Sequence, residues 1–203
     1  MNEFEQITGF KLPADLMTEE EIEQARAKER AELRHLELNV IVPAFCQVTD
    51  QSRLPSKELA QALTWATHPT KQPLNLLLSG TTGTGKTRIA WEAIKTRYLN
   101  TGAKPMAIGA ESFVRRILRE PELMEKLIFQ KLLLVDDLGK ERTTPTAESA
   151  IFELIRERMD NLLPTIYTTN FSPTTLAARF GQRETGEAVC RRIKEDSTCL
   201  KLV

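Results

Sequence analysis

The chain is poor in cysteine and histidine. Its cysteines are Cys46, Cys190 and Cys199, an odd number without a C-x-x-C pair, and its histidines are His35 and His68. That spacing excludes finger-type zinc sites. It fits reduced thiols in a cytoplasmic protein. No charge of one sign dominates: 28 Lys+Arg balance 28 Asp+Glu. A global basic field for nucleic acid is therefore missing, and any such contact has to come from a local patch. Long apolar runs are missing too, the longest being about five residues against the roughly 20 that a membrane span needs. The N-terminus carries Glu3 and Glu5, not the basic-then-apolar pattern of a secretion signal. No internal repeat or low-complexity tract is visible.

What the chain does have is the octapeptide Gly80-Thr81-Thr82-Gly83-Thr84-Gly85-Lys86-Thr87. It fits G-x-x-x-x-G-K-[ST], the phosphate-binding loop of nucleoside triphosphatases. The glycines let successive N–H groups converge on one anion, and the following helix adds its positive N-terminal end. Lys86 is placed to reach the β and γ phosphates of ATP, and the Thr87 hydroxyl to sit on Mg²⁺.

The flanks agree with that reading. From Pro73 onward strands and helices alternate. Expected strands are Leu74–Leu78, Ala103–Ile108, Lys131–Val135, Thr165–Thr168 and Thr198–Val203. Expected helices between them are Lys86–Tyr98, Glu111–Arg119, Pro121–Phe129, Thr146–Asn161, Pro173–Phe180 and Glu184–Glu195. Strands separated by helices imply a parallel sheet covered on both faces, an α/β fold. Before this core, Met1–Leu16 reads as an arm. Thr18 and Glu21 resemble a capping box opening a charged helix, Glu19–Leu38. Val40–Pro55 reads as a loop, and Ser56–Thr67 as an amphipathic helix with Leu59, Leu63 and Ala66 on one side.

Leu132-Leu133-Leu134-Val135-Asp136-Asp137 is an apolar strand ending in two acids. Parallel sheets gather ligands beyond the carboxyl ends of their strands. Asp136 is therefore expected beside the phosphate loop as a Mg²⁺ ligand. Asp137 is expected to polarise the attacking water; the alternative is that the acids only start a turn before Gly139. Asn170, after the strand Thr165–Thr168, either senses the γ-phosphate or caps the helix that begins near Ser172. Near the C-terminus, Ala188, Val189 and Ile193 are expected to face inward and to leave Arg183, Arg191 and Arg192 outside. These arginines are either a solvated basic face or the source of a transition-state contact to a neighbouring subunit's nucleotide.

Taken together, these segments resemble the AAA+ ATPases, and within them the DnaC/DnaI-type replicative helicase loaders and the related IstB-type transposition ATPases. The resemblance rests on Gly80–Thr87 (Walker A), on Leu132 through Asp136-Asp137-Leu138-Gly139-Lys140-Glu141 (Walker B), on Tyr167-Thr168-Thr169-Asn170 (sensor 1) and on Ala188-Val189-Cys190-Arg191-Arg192-Ile193. Leu38–Phe45 also resembles the segment before the core in these proteins.

The resemblance implies a P-loop NTPase fold of three layers, with a five-stranded parallel sheet and a reduced or absent C-terminal lid. It implies a helical extension over 1–40, which would bind the partner, and an ATPase domain over 41–203. It implies an ATP- and Mg²⁺-dependent homo-oligomer that loads a hexameric helicase on single-stranded DNA, with catalytic residues Lys86, Asp137, Asn170 and the arginine finger Arg192, or its neighbour Arg191. Phe113, Arg115, Arg116 and Arg119 are the expected DNA contacts, the ring of Phe113 stacking on a base. Most AAA+ proteins have Glu where this chain has Asp137, which implies slow hydrolysis. Two other readings stand beside the loader: an IstB-type transposition helper on duplex DNA, and a non-oligomeric P-loop kinase or nucleotide switch.

Overall fold

The structure, a computed structural model, describes residues 18–68, 73–141, 144–180 and 183–203. The expected arm over Met1–Leu16 lies outside them. The compact body comprises Leu38–Val203, and the residues before it form a separate unit.

The apolar strand sequences become β1 (Asn75–Gly80), β2 (Pro105–Gly109), β3 (Leu132–Asp136), β4 (Thr165–Thr169) and β5 (Ser197–Leu202). They form one sheet in the order β2-β3-β4-β1-β5 with parallel neighbours throughout. Side chains alternate across a strand, and the core divides accordingly. Leu76, Leu78, Leu132, Leu134, Ile166, Leu200 and Leu202 point to one face. Leu77, Leu133, Val135 and Tyr167 point to the other. Burial on both faces explains why the strands read as unbroken apolar runs rather than as alternating ones.

The first face is covered by α3 (Ser56–Thr67) and α4 (Lys86–Thr101). The second is covered by α5 (Ala110–Ile117), α6 (Glu122–Ile128), α7 (Pro145–Asp160), α8 (Pro173–Ala177) and α9 (Arg183–Glu195). Crossovers of one hand explain the division. The step from β1 outward to β2 puts α4 on one side. The steps back through β3 and β4 to β5 put the later helices on the other.

Upstream, α1 spans Glu19–Ile41. Its capping box forms in full: Thr18 N donates to Glu21 Oε2 at 2.7 Å, and Glu21 N donates to Thr18 Oγ1 at 3.2 Å. Donation from Thr18 N and from the Thr18 hydroxyl holds the Glu21 carboxyl below its ordinary value.

Val40–Pro55 departs from the expected loop. Helix α1 continues to Ile41, α2 forms over Ala44–Gln47, and a 3₁₀ turn covers Gln51–Arg53. Turns this short carry no readable period. Buried Val42, Cys46 and Leu54 are what hold them to the core. The inward face of α9 also differs from expectation. Gly186, Cys190 and Ile193 are buried, whereas Ala188 is exposed and Val189 half-buried. With Ile193 inside, the 3.6-residue period selects Cys190 and Gly186, not Ala188.

Arg158 on α7 is a charged side chain with 0% exposure. Its Nη1 donates to the carbonyls of Leu127 (2.6 Å), Ile128 (2.9 Å) and Gln130 (2.8 Å). Its Nη2 donates to Pro164 O and its Nε to Thr165 Oγ1, both at 2.8 Å. Burial pulls its pKa down to about 10, which leaves it protonated at neutral pH. The guanidinium thus ties the chain entering β3 to the chain entering β4, at the end of the sheet away from the phosphate loop. Arg158→Met is expected to cost about 3 kcal/mol by leaving buried carbonyls without donors. Arg158→Lys should cost less. Urea denaturation of both variants measures this.

Candidate functional site: the cleft beyond β1, β3 and β4

The phosphate loop leaves β1 and runs into α4. Gly85 occupies the position before the helix with φ 90°, in the left-handed region. A Cβ there would lie 2.7 Å from Leu54 Cδ2, so glycine is required by both backbone and packing. Thr81, Thr82 and Gly83 are exposed at the loop tip. Lys86 is buried, and its Nζ donates to Gly80 O at 2.8 Å and Thr81 O at 2.7 Å. Burial lowers its pKa, and the Asp137 carboxylate opposes that shift.

Thr87 points across to β3, where its Oγ1 donates to Asp136 Oδ1 at 3.0 Å. Residues 49 positions apart thereby meet as one oxygen-rich pair. Thr168, at the end of β4, joins them: its Oγ1 donates to Asp136 Oδ1 at 2.6 Å and accepts from Asp137 N at 2.8 Å. Thr168 was not singled out from the sequence. The available signal was the polar end of an otherwise apolar strand, in which Asn170 drew the attention.

Asp137 has φ 59°, in the left-handed region. Its carboxylate forms an ion pair with Lys140 at 2.8 Å. Asn170 does not cap α8; Ser172 does, accepting from Thr175 N at 3.2 Å. Instead Asn170 Nδ2 donates to Thr82 Oγ1 at 3.2 Å, and its Oδ1 is buried without a partner among the described residues.

These groups line a cleft of about 430 Å³. The phosphate loop forms one wall, Asp137, Lys140 and Asn170 a second, and Phe45, Arg53 and Leu54 a third. The third wall is the segment expected to be a plain loop. It is fixed to α4 by polar contacts. Lys95 Nζ donates to Cys46 O at 2.9 Å and is ion-paired with Glu92, and Gln51 Nε2 donates to Glu92 Oε2 at 2.9 Å. Phe45 is more than half exposed, an aromatic face open to the cleft.

The arginine-bearing segments lie elsewhere. Arg191 and Arg192 are exposed on α9 and line a groove of about 630 Å³ against α7, and Arg192 is 3.9 Å from Asp160. The side chain of Arg183 lies outside the described residues. On α5 and in the turn after it, Arg115, Arg116 and Arg119 are exposed, and Arg116 forks onto Glu120 at 2.8 and 2.7 Å. Phe113 requires a correction. It is 2% exposed and packs in the core of the second face, because α5 lies against β2, α6 and α7. Its ring is not free to stack on a base. Among the described residues no helix is long and apolar enough to cross a membrane, and no cluster of His, Cys, Asp and Glu has the makings of a metal site.

Comparison with known proteins agrees with this geometry. The profile of the IstB-like ATP binding proteins matches residues 8–202. The replicative helicase loader DnaI of Bacillus subtilis (strain 168) is 29% identical over 162 residues, which cover 75% of this chain and 52% of that protein. The chain thus spans about half the length of that relative. Among solved structures, the DnaC helicase loader superposes with a TM-score of 0.64 at 24% identity, covering 73% of this chain and 89% of that one. Domain III of the Thermotoga maritima replication initiation protein DnaA gives 0.61 at 22%, covering 77% and 64%. These two likenesses concern the fold, a five-stranded P-loop NTPase sheet. With the family profile covering nearly the whole length, the chain belongs to the IstB-like ATP-binding family.

Proposed function

We propose that the protein hydrolyses ATP with Mg²⁺ and acts as a loader of a hexameric replicative helicase, assembling with copies of itself on single-stranded DNA. The observation that carries this reading is the meeting of Thr87 and Asp136 at 3.0 Å beneath the phosphate loop. A hydroxyl and a carboxylate are hard oxygen donors of the kind Mg²⁺ prefers. Thr87 and Asp136 would hold the ion, which would neutralise charge on the β and γ phosphates. Lys86 would exchange its loop carbonyls for phosphate oxygens. Asp137, with its carboxylate on the cleft, would take the proton of the attacking water. Asn170, which lines the cleft and donates from Nδ2 to Thr82 of the loop, would orient that water.

The similarity to DnaI supports the loader role. So does the exposed surface of α1, on which Ile22, Leu33 and Leu36 are open to solvent. In this reading residues 1–40 engage the helicase and 41–203 form the ATPase domain. Arg192, exposed on α9, reaches the γ-phosphate of a neighbouring copy. Arg115, Arg116 and Arg119 give a local basic patch for the DNA backbone in a chain without net charge.

A second reading, a transposition helper acting on duplex DNA, is supported by the match to the IstB-like ATP binding proteins. Relative affinity for single- and double-stranded DNA separates the two.

Lys86→Ala is expected to abolish nucleotide binding or turnover. Asp137→Asn is expected to keep binding and to lose about 10²–10⁴-fold in hydrolysis rate. Phosphate release and calorimetric titration measure these effects, and normal turnover in Asp137→Asn would remove its assigned role. For DNA, filter binding across a salt series should show a shallower slope, by about 1.4, in the Arg115→Ala/Arg116→Ala variant. An unchanged slope would place the contact elsewhere.

A further inference from the structure

The turn that carries Asp137 is held at two ends by different means. Its β3 end is fixed by β4, because Asp137 N donates to Thr168 Oγ1 and Leu138 N to Thr168 O, each at 2.8 Å. Its far end is Gly139, whose N–H and C=O, in successive peptide units, are each held by a side chain. Gly139 N donates to Glu141 Oε2 at 2.8 Å, and Gly139 O accepts from Arg179 Nε at 3.0 Å.

Neither side chain belongs to the cleft. Glu141 is 1% exposed. Its Oε1 is buried with no partner among the described residues, and burial raises its carboxyl above the ordinary value, against the pull of Arg179. A carboxyl group kept in such a place loses more solvation than a surface turn would demand. Arg179 follows α8 and has its guanidinium over the Phe171 ring at 5.2 Å, directly after Asn170 in sequence. The packing at this point has no slack. Gly139 has φ 92°, and a Cβ there would lie 2.6 Å from Leu176 Cδ1 and 2.8 Å from Phe171 Cδ2. The turn bearing Asp137 and the segment after β4 that bears Asn170 and Phe171 therefore meet at one residue, Gly139.

We propose that Glu141 and Arg179 are positioning residues for hydrolysis: they hold the two peptide units on either side of the Gly139 Cα between them, which fixes the Asp137–Lys140 turn and locks the aim of Asp137 to the place of Asn170. This inference rests on the reading of Asp137 as the base. Small displacements of a reacting group cost large factors in rate, so the clamp acts on the chemical step and leaves nucleotide binding by the phosphate loop untouched.

The test compares Glu141→Gln, which keeps an acceptor for Gly139 N–H, with Glu141→Met, which fills the space without one. Arg179→Met removes the other jaw. Three quantities are read on the full chain: single-turnover ATP hydrolysis, ATP affinity, and backbone amide exchange over residues 137–141. Glu141→Met and Arg179→Met are expected to lose about tenfold or more in rate with unchanged affinity. Amide exchange in the turn should rise about tenfold in both. Glu141→Gln should restore parental behaviour in all three.

Parental rate and exchange in both methionine variants would overturn the clamp. So would a rate loss that Glu141→Gln does not rescue, or a parallel loss of affinity, which marks general damage. The exchange measurement is independent of turnover. A parent protein that fails to hydrolyse ATP would sink the proposed activity, whereas unchanged exchange in both methionine variants would sink the clamp. Should one variant fail to fold, the other still decides.

Discussion

A single buried hydroxyl organises the site. Thr168 Oγ1 gives its proton to the Asp136 carboxylate and takes the N–H of Asp137 on its lone pair. One acid is thereby fixed through its side chain and the next through its backbone. Thr168 is 0% exposed, so no bulk water competes for either bond. The arrangement depends in turn on strand register. Val135 pairs with Tyr167 and Leu78 with Thr168, which brings the hydroxyl level with the end of β3 and beside the root of the phosphate loop. A slip of one residue would turn that hydroxyl to the opposite face of the sheet. The apolar side chains that fill both faces prevent the slip, so the hydrophobic core is what sets the geometry of the polar site.

The same economy appears at the outer wall. Helix α4 begins at Lys86, and its buried flank carries Glu92 and Lys95, which hold the segment bearing Phe45, Arg53 and Leu54. Phosphate loop and outer wall are thus mounted on one rigid element. At the far end of the sheet Arg158 performs the converse task, satisfying carbonyls where the chain enters β3 and β4. Order at the ligand end and order at the opposite end are maintained by different chemistry.

Much of this was legible in the sequence because it is repetitive or glycine-marked. Leu132–Val135 and Leu76–Leu78 could hardly be anything but buried strands, and the loop Gly80–Thr87 announces its own geometry. The end of β3 meets the loop, Asp136 accepting from Thr87 at 3.0 Å, because a parallel sheet leaves little choice. What escaped was contact information. Thr168 looks like any strand threonine until its register is known. Phe113 looked available because an aromatic next to arginines says nothing about which way a helix turns, and tertiary packing sends its ring into the core. Residues Ala44–Gln47 and Gln51–Arg53 are too short to show a period, although they build one side of the cleft. The buried Glu141 stands in a charged stretch that reads as surface.

The left-handed backbone at Asp137 bears on how this site is tuned. Short acids tolerate that conformation better than longer side chains do, because their carboxylate can engage the local backbone. The missing methylene relative to the usual glutamate is then a requirement of the turn as much as a choice of chemistry. Lengthening the acid would not simply extend its reach: the main chain would resist, and the tight seam around Gly139 would transmit that resistance to the segment beyond β4. If Asp137 acts as proposed, side-chain length and backbone shape at this position are set together, and a longer acid would call for a different turn rather than a single exchange.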